Sequence, residues 1–245
     1  MSRRPEAFTN CYEDAGRATA YATLEFANTY YLAYRDLPAI LAEHVVGTRA
    51  LDFGCGAGRS TRFLRKLGFA VIGVDISEDM LRIARSVDLL GDYRLVPGDR
   101  LDEFEGGTFD LVLSAFTFDN IPAGRKVGIF ADLRKLLATQ GRLVSIVSSP
   151  DIYQHEWTSF TTRDFPENAS AVSGDVVRIV VMDHPDRRPV EDILCTDGSY
   201  QDVYRKADLE TIQMYTPLAD GSESYAWVNE RKIAPWVIYV LKRKA

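Results

Sequence analysis

Three alternating glycines, with an acid some way beyond them, are the part of this sequence with the plainest chemical use. The segment runs Ala50-Leu51-Asp52-Phe53-Gly54-Cys55-Gly56-Ala57-Gly58-Arg59, and the next acid at a strand end is Asp75, 75 − 58 = 17 residues after the last glycine. Glycine permits a tight turn and lets a ligand approach the backbone closely. Free N–H groups at a helix start favour polar or anionic ligand groups. An acid closing the following strand can accept hydrogen bonds from two ribose hydroxyls. The pattern therefore predicts a nucleoside-bearing cofactor. Two further residues could hold a proton: Asp119 in Phe118-Asp119-Asn120, and His155, the best-placed base of the three histidines unless its role is structural. Arg35 is a cation just ahead of the loop. Cys55 reads as a small packing residue rather than a reactive thiol, although a helix start can lower a thiol pKa.

The elements that must position these residues alternate between β and α. Residues 11–35 carry Tyr12, Tyr21, Tyr30, Tyr31 and Tyr34 at mixed helical spacing, which reads as one or two amphipathic helices. Pro38 fits the first turn of a helix over Pro38–His44. Strands are predicted at Arg49–Phe53, Phe69–Val74, Tyr93–Val96, Phe109–Ser114 and Leu143–Ser148. Helices are predicted at Arg59–Leu67, Ser77–Arg85 with Ser77 as N-cap, and Lys126–Leu137. Such alternation implies βαβ units, right-handed crossovers and a parallel sheet. After Pro150 the order blurs. A strand over Val176–Met182, a helix over Tyr200–Ala207 and closing strands over Glu210–Tyr215 and Trp236–Leu241 remain.

The loop is G-x-G-x-G, and the third glycine of the nicotinamide fingerprint would fall at Arg59. A nicotinamide-dependent oxidoreductase is thereby disfavoured. Asp52 through Gly58 together with Asp75 instead resembles the first motif, and its acidic partner, of class I S-adenosylmethionine-dependent methyltransferases. Pro97-Gly98-Asp99, Phe109–Ser114 and Lys135-Leu136-Leu137…Gly141-Arg142-Leu143 extend the resemblance, well over 35–149 and loosely over 200–242. The resemblance implies a Rossmann-like seven-stranded, mostly parallel sheet with its last strand antiparallel and helices on both faces. It implies S-adenosyl-L-methionine as cofactor. Gly54, Cys55, Gly56 and Gly58 would line its methionine part, and Arg35 would pair with its carboxylate. Asp52 would orient the loop, Asp75 would hold the ribose, and Ile76 and Met80 would pack near the adenine. Asp99 and Arg100 would meet the adenine edge, and Ser114 would close the cofactor set. Ligands of such sheets bind beyond the carboxyl ends of the strands. That places Phe116, Phe118, Asp119 and Asn120 after the fourth strand, and His155 and Trp157 after the fifth, beside the acceptor. The two phenylalanines could equally be core. Tyr12, Tyr21 and Tyr30 would contribute from an N-terminal lid. Aromatic walls favour a planar acceptor. A narrower similarity, in Thr29–Pro38 and Ala115–Pro122, is to bacterial methyltransferases of secondary metabolism of the toxoflavin-forming, azapteridine N-methylating kind.

Composition bounds these readings. The chain has 245 residues, net charge −6, 46% hydrophobic and 26% charged residues, which excludes disorder and disfavours a dedicated nucleic-acid binder. Cys11, Cys55 and Cys195 have no zinc-ligand spacing and no metal is expected. No secretory signal or membrane span is predicted, so a cytoplasmic protein acting on a small molecule, as monomer or homodimer, is expected. At about 150 residues per domain, one domain with decorations fits best. These are a helical lid over 1–46, a cofactor half over 47–149, a substrate-side insert over 150–199, and a closing helix and strands over 200–245.

Overall fold

A computed structural model describes residues 26–96 and 101–244. The expectations for Tyr12, Tyr21, Asp99 and Arg100 lie outside them. Among the described residues two short helices come first, α1 (Thr29–Arg35) and α2 (Leu37–His44). The chain then alternates through β1 (Arg49–Phe53), α3 (Arg59–Lys66), β2 (Ala70–Asp75), α4 (Glu78–Val87), β3 (Asp92–Leu95), β4 (Phe109–Ala115), α5 (Ala123–Leu136) and β5 (Leu137–Ser148). A small antiparallel sheet follows, in the order β6 (Phe160–Thr161), β7 (Val176–Val181) and β8 (Val190–Ile193). The chain closes with α6 (Asp197–Lys206), β9 (Leu209–Tyr215) and β10 (Trp236–Arg243).

The main sheet has seven strands in the order β3-β2-β1-β4-β5-β10-β9. The pairs among β1 to β5 are parallel, and β10 runs antiparallel to both neighbours. The order reverses between β1 and β4, the switch point where α/β sheets open a ligand crevice. The last four residues of β1 are buried, as expected for a strand covered on both faces. Side chains alternate along β5. Val144 and Ile146 join the core beneath α1 and the small sheet, while Leu143 and Val147 join the core beneath α5 and α6. Ser77 caps α4 by accepting from the Met80 N–H at 3.3 Å, with Glu78 and Asp79 in the first turn.

Three elements differ from the sequence reading: β5, β8 and the two-residue strand β6. β5 starts six residues early, straight from α5. Its turn-like Ala138-Thr139-Gln140-Gly141 is accommodated by a register irregularity against β4, and a Cβ at Gly141 would lie 2.7 Å from the Phe109 carbonyl. β8 was not foreseen, because an inward position of its alternation is filled by a carboxylate, Asp192. Among the described residues, no helix is long and apolar enough to cross a membrane, and no group of side chains could hold a metal ion.

Candidate active site

The loop between β1 and α3 folds back onto the end of β2. Gly54 and Cys55 donate N–H bonds to the Val74 carbonyl at 2.8 and 3.0 Å. Gly54, Gly56 and Gly58 all have positive φ, at 73°, 52° and 79°, a region glycine enters at little cost. A Cβ at Gly54 would strike Thr117 Oγ1 at 2.2 Å. At Gly56 it would meet only Met80 Cε, at 4.0 Å, and would fill the mouth of the loop instead. Asp75 accepts from the Gly56 N–H at 2.8 Å and the Ser77 N–H at 2.9 Å. Burial raises its carboxyl pKa, against the pull of those backbone donors. Asp52 sits beneath, fully buried. One oxygen accepts from Ser60 and Thr61 hydroxyls at 2.7 and 2.6 Å, tying the start of α3 to β1, and the other has no partner among the described residues. Burial pushes its pKa up to about 6.

From this loop a cleft of about 230 Å³ runs beneath α1 and the small sheet. At the loop end it is lined by Gly54, Cys55, Gly56, Asp75, Ile76 and Met80. At the far end lie Tyr30, Phe116, Phe160, Ile179, Trp236 and the carboxyl groups of Asp119 and Asp192. Tyr30 stacks on Trp236 at 5.6 Å and meets Phe116 and Phe160 edge-on. Phe116 has φ 63°, a strained value for a bulky residue of the kind that clusters at functional sites. Its N–H is held by the Ile146 carbonyl at 2.8 Å. Arg59, the first residue of α3, lines the cleft between the two ends. Its guanidinium lies 4.8 Å from the Tyr30 ring centre and 5.5 to 5.8 Å from those of Tyr34, Phe26 and Phe116.

Residues 50–141 match the family profile described as a methyltransferase domain. The ubiquinone biosynthesis O-methyltransferase of Burkholderia ambifaria (strain MC40-6) is 34% identical over 84 residues, 33% of this chain and 36% of that protein. The demethylmenaquinone methyltransferase of Tropheryma whipplei (strain Twist) is 38% identical over 101 residues, 40% of this chain and 41% of that protein. The chain thus spans about two fifths or less of the length of these curated relatives. An S-adenosylmethionine-dependent methyltransferase structure from Clostridium acetobutylicum superposes with a TM-score of 0.62 at 16% identity, covering 96% of this chain and 100% of that one. The CcbJ methyltransferase of Streptomyces caelestis gives 0.61 at 17% identity, over 86% and 95%. At these identities the solved structures speak for the fold.

Residues 50–141 carry a methyltransferase domain, set in the fold of S-adenosylmethionine-dependent methyltransferases. S-adenosylmethionine is the cofactor this resemblance implies, and the glycine loop here has the features that cofactor needs. Gly56 leaves open the space a Cβ would fill, Asp75 faces the cleft with backbone donors on its inner side, and Ile76, Met80 and Val96 offer an apolar wall.

Several residues nominated from the methyltransferase pattern lie elsewhere. Arg35 does not reach the cleft: its guanidinium is held by Asp36 at 2.8 Å and Glu223 at 2.7 Å and donates to the Leu218 carbonyl. Gly58 stands behind the loop, where a Cβ would strike the Tyr93 hydroxyl at 2.5 Å. Ser114 is enclosed within β4 and does not line the cleft. Phe118 is core, stacked between Phe53 and Phe130 at 5.8 and 3.9 Å. Trp157 is also core, its indole donating to the Ile152 carbonyl at 2.9 Å. His155 leans edge-on toward Trp157, 6.4 Å between ring centres, and lies outside the cleft lining. The turn Pro150–Tyr153 points Ile152 and Tyr153 into the cleft in its place. Conversely, Arg59, Tyr153, Asp192 and Trp236 were missed. Arg59 had been weighed only as a departure from glycine. Asp192 had a legible signal, the alternation Val190-Glu191-Asp192.

Proposed function

We propose that this chain transfers a methyl group to a small planar heteroaromatic metabolite, at a ring nitrogen. The observation that carries the reading is one continuous cleft, with the glycine loop and Asp75 at one end and an aromatic and aliphatic chamber closed by Asp119 at the other. When bound, S-adenosylmethionine supplies a methyl group already activated on a sulfonium. The protein's work is then to position the acceptor and exclude water. Asp75 would take the ribose hydroxyls and Arg59 the carboxylate, the role the sequence pattern gave to Arg35. Cys55 packs under the loop as a neutral thiol, because burial raises its pKa well above the usual thiol range. Tyr30, Phe116 and Trp236 would hold a flat acceptor and face the sulfonium with their π-systems. Asp119 would receive the acceptor's proton. It is buried, and its oxygens accept from the Ser148 N–H at 3.1 and 3.2 Å and the Ser148 hydroxyl at 2.9 Å. The chain is read as one domain, with 150–199 as the substrate-side insert, working in a reducing cytoplasm where Cys55 and Cys195 stay free.

Calorimetry with S-adenosylhomocysteine and transfer of labelled methyl to a panel of nitrogen heterocycles test the proposal. No binding of S-adenosylhomocysteine removes it. Transfer to a phenolic oxygen is the second reading, favoured by the relative named as a ubiquinone biosynthesis O-methyltransferase. Catechols and hydroquinones in the same panel separate the two.

A further inference from the structure

Asp119 and Asp192 reach the same chamber from two elements that pack against each other. Asp119 comes from the turn Phe118–Asn120 after β4, and Asp192 from β8 of the small sheet. Both are buried, at 6% and 8% exposure, among Ile152, Ile179, Val181 and Val190. Two neighbouring carboxylates in apolar surroundings cannot both ionise cheaply. The cation that acts on both carboxyl groups is Lys126 of α5, and Arg59 and Arg125 line the same cleft. Lys126 is fully buried beside the Cys195 thiol, its ammonium lies 4.8 Å over the Tyr200 ring, and burial lowers its pKa. One Lys126 charge balances one carboxylate charge, which leaves the second carboxyl protonated. The other titratable groups facing the pair are the Tyr153 hydroxyl, which donates to Asp192 Oδ2 at 3.0 Å, with Cys195, Tyr200 and Tyr30. Burial raises both carboxyl pKa values, to about 7 for Asp119, where the Asp192 charge adds to the rise, and to about 6 for Asp192, against the pull of the Tyr153 hydroxyl and Lys126.

We propose that Asp119 and Asp192 act as a proton-sharing pair that selects an acceptor whose methylated edge sets an N–H beside a carbonyl, as in a lactam or cyclic imide. The proposal rests on the methyltransferase reading above and specifies its substrate class. A carboxyl beside a carboxylate offers one donor and one acceptor, the complement of such an edge. A phenol would leave the carboxyl donor unpaired, and an amine cation would demand that both groups ionise. In the transfer, the N–H proton passes to the ionised oxygen of the pair as the nitrogen's electron pair forms the N–C bond. The C–S bond breaks with its electrons kept on sulfur, and the sulfonium charge is discharged. The pair then holds two protons and releases one to solvent.

The test is calorimetric titration of the protein, saturated with S-adenosylhomocysteine, with quinazoline-2,4-dione and with its N,N′-dimethyl derivative. The dione is expected to bind and the dimethyl derivative is not. Dione binding should weaken as pH rises past about 7, where the pair loses its shared proton. Asp192→Ala should weaken it by at least about tenfold without changing S-adenosylhomocysteine affinity. Asp192→Asn, which supplies a permanent donor, should keep dione binding and remove its alkaline fall-off. If the alanine variant fails to fold, the asparagine profile decides. Equal binding, or no binding, of the two diones overturns the proposal, as does an alkaline fall-off that persists in Asp192→Asn. Failure of the wild type to bind S-adenosylhomocysteine would instead refute the methyltransferase reading.

Discussion

Replacing Arg59 by Met, and separately Arg35 by Met, distinguishes the two cations that could hold the cofactor carboxylate. Arg59 begins α3 directly behind the glycine loop, with its guanidinium 4.8 Å over the Tyr30 ring and inside the cleft. Arg35 is engaged by Asp36 and Glu223. A hydrogen bond to a charged group contributes about 1.5–3 kcal/mol. At 1.36 kcal/mol per factor of ten, Arg59→Met should weaken S-adenosylhomocysteine by about ten- to 150-fold. Methionine keeps most of the packing against Phe26, Tyr34 and Phe116, so the melting temperature reports any wider damage. The decisive control is 5′-methylthioadenosine, which has the adenosine and sulfur but no carboxylate. Its affinity should stay within about twofold in Arg59→Met, the range of a change that removes no contact. Arg35→Met should leave both ligands within the same limit. An unchanged S-adenosylhomocysteine affinity in Arg59→Met, or an equal loss for both ligands, refutes the assignment.

Other expectations follow from the same geometry. Asp75→Ala strips the ribose of its acceptor and should weaken S-adenosylhomocysteine by about 1–3 kcal/mol by calorimetry; an unchanged affinity contradicts the ribose role. Phe118→Ala empties a site stacked between Phe53 and Phe130 and should cost about 3–5 kcal/mol in urea unfolding, with cofactor affinity unchanged in the folded fraction; a loss under about 1 kcal/mol means the ring is not core. His155→Ala should leave turnover within about twofold, and a large fall would return the histidine to the site. Asp119 and Asp192 have folded-state pKa values raised above the ordinary 3.8, so the folded state binds more protons there than the unfolded. Their contribution to stability is greatest below pH about 4 and declines as pH rises toward about 7. Asp192→Asn should flatten that decline in urea titrations, and a slope identical to wild type would sink the linkage.

Most of the main sheet was legible because its signals are local. β1 sits as an apolar run before a glycine loop, Ser77 caps α4 where a capping residue was expected, and β4 and β10 are continuous apolar strands. β5 was read short because Ala138 to Gly141 resembles a turn. Its continuation depends on the Phe109 carbonyl standing where a Cβ would be, a fact of the neighbouring strand and not of the segment itself. The closing hairpin was found although twenty residues separate its strands, because β10 is a continuous apolar run that marks itself.

The site divides along the same line. Gly54, Gly56, Asp75, Ile76 and Met80 were readable because one turn and the two strands beside it bring them together within twenty-seven residues. The acceptor side is assembled from α1, the turns after β4 and β5, the small sheet and β10, and no local spacing encodes that meeting. Two errors there share one cause. Phe116 and Phe118 were weighed alike, yet the positive φ at Phe116 turns its ring into the cleft and sends Phe118 into the core. By residue type His155 reads as a familiar base, while Asp192 carries no expectation from the sequence. Burial reverses the ranking. A partly buried imidazole outside the cleft has nothing to deprotonate, whereas a carboxyl enclosed by Ile179, Val181 and Val190 holds its proton at a pH where it can be shared with Asp119 and exchanged with a bound acceptor.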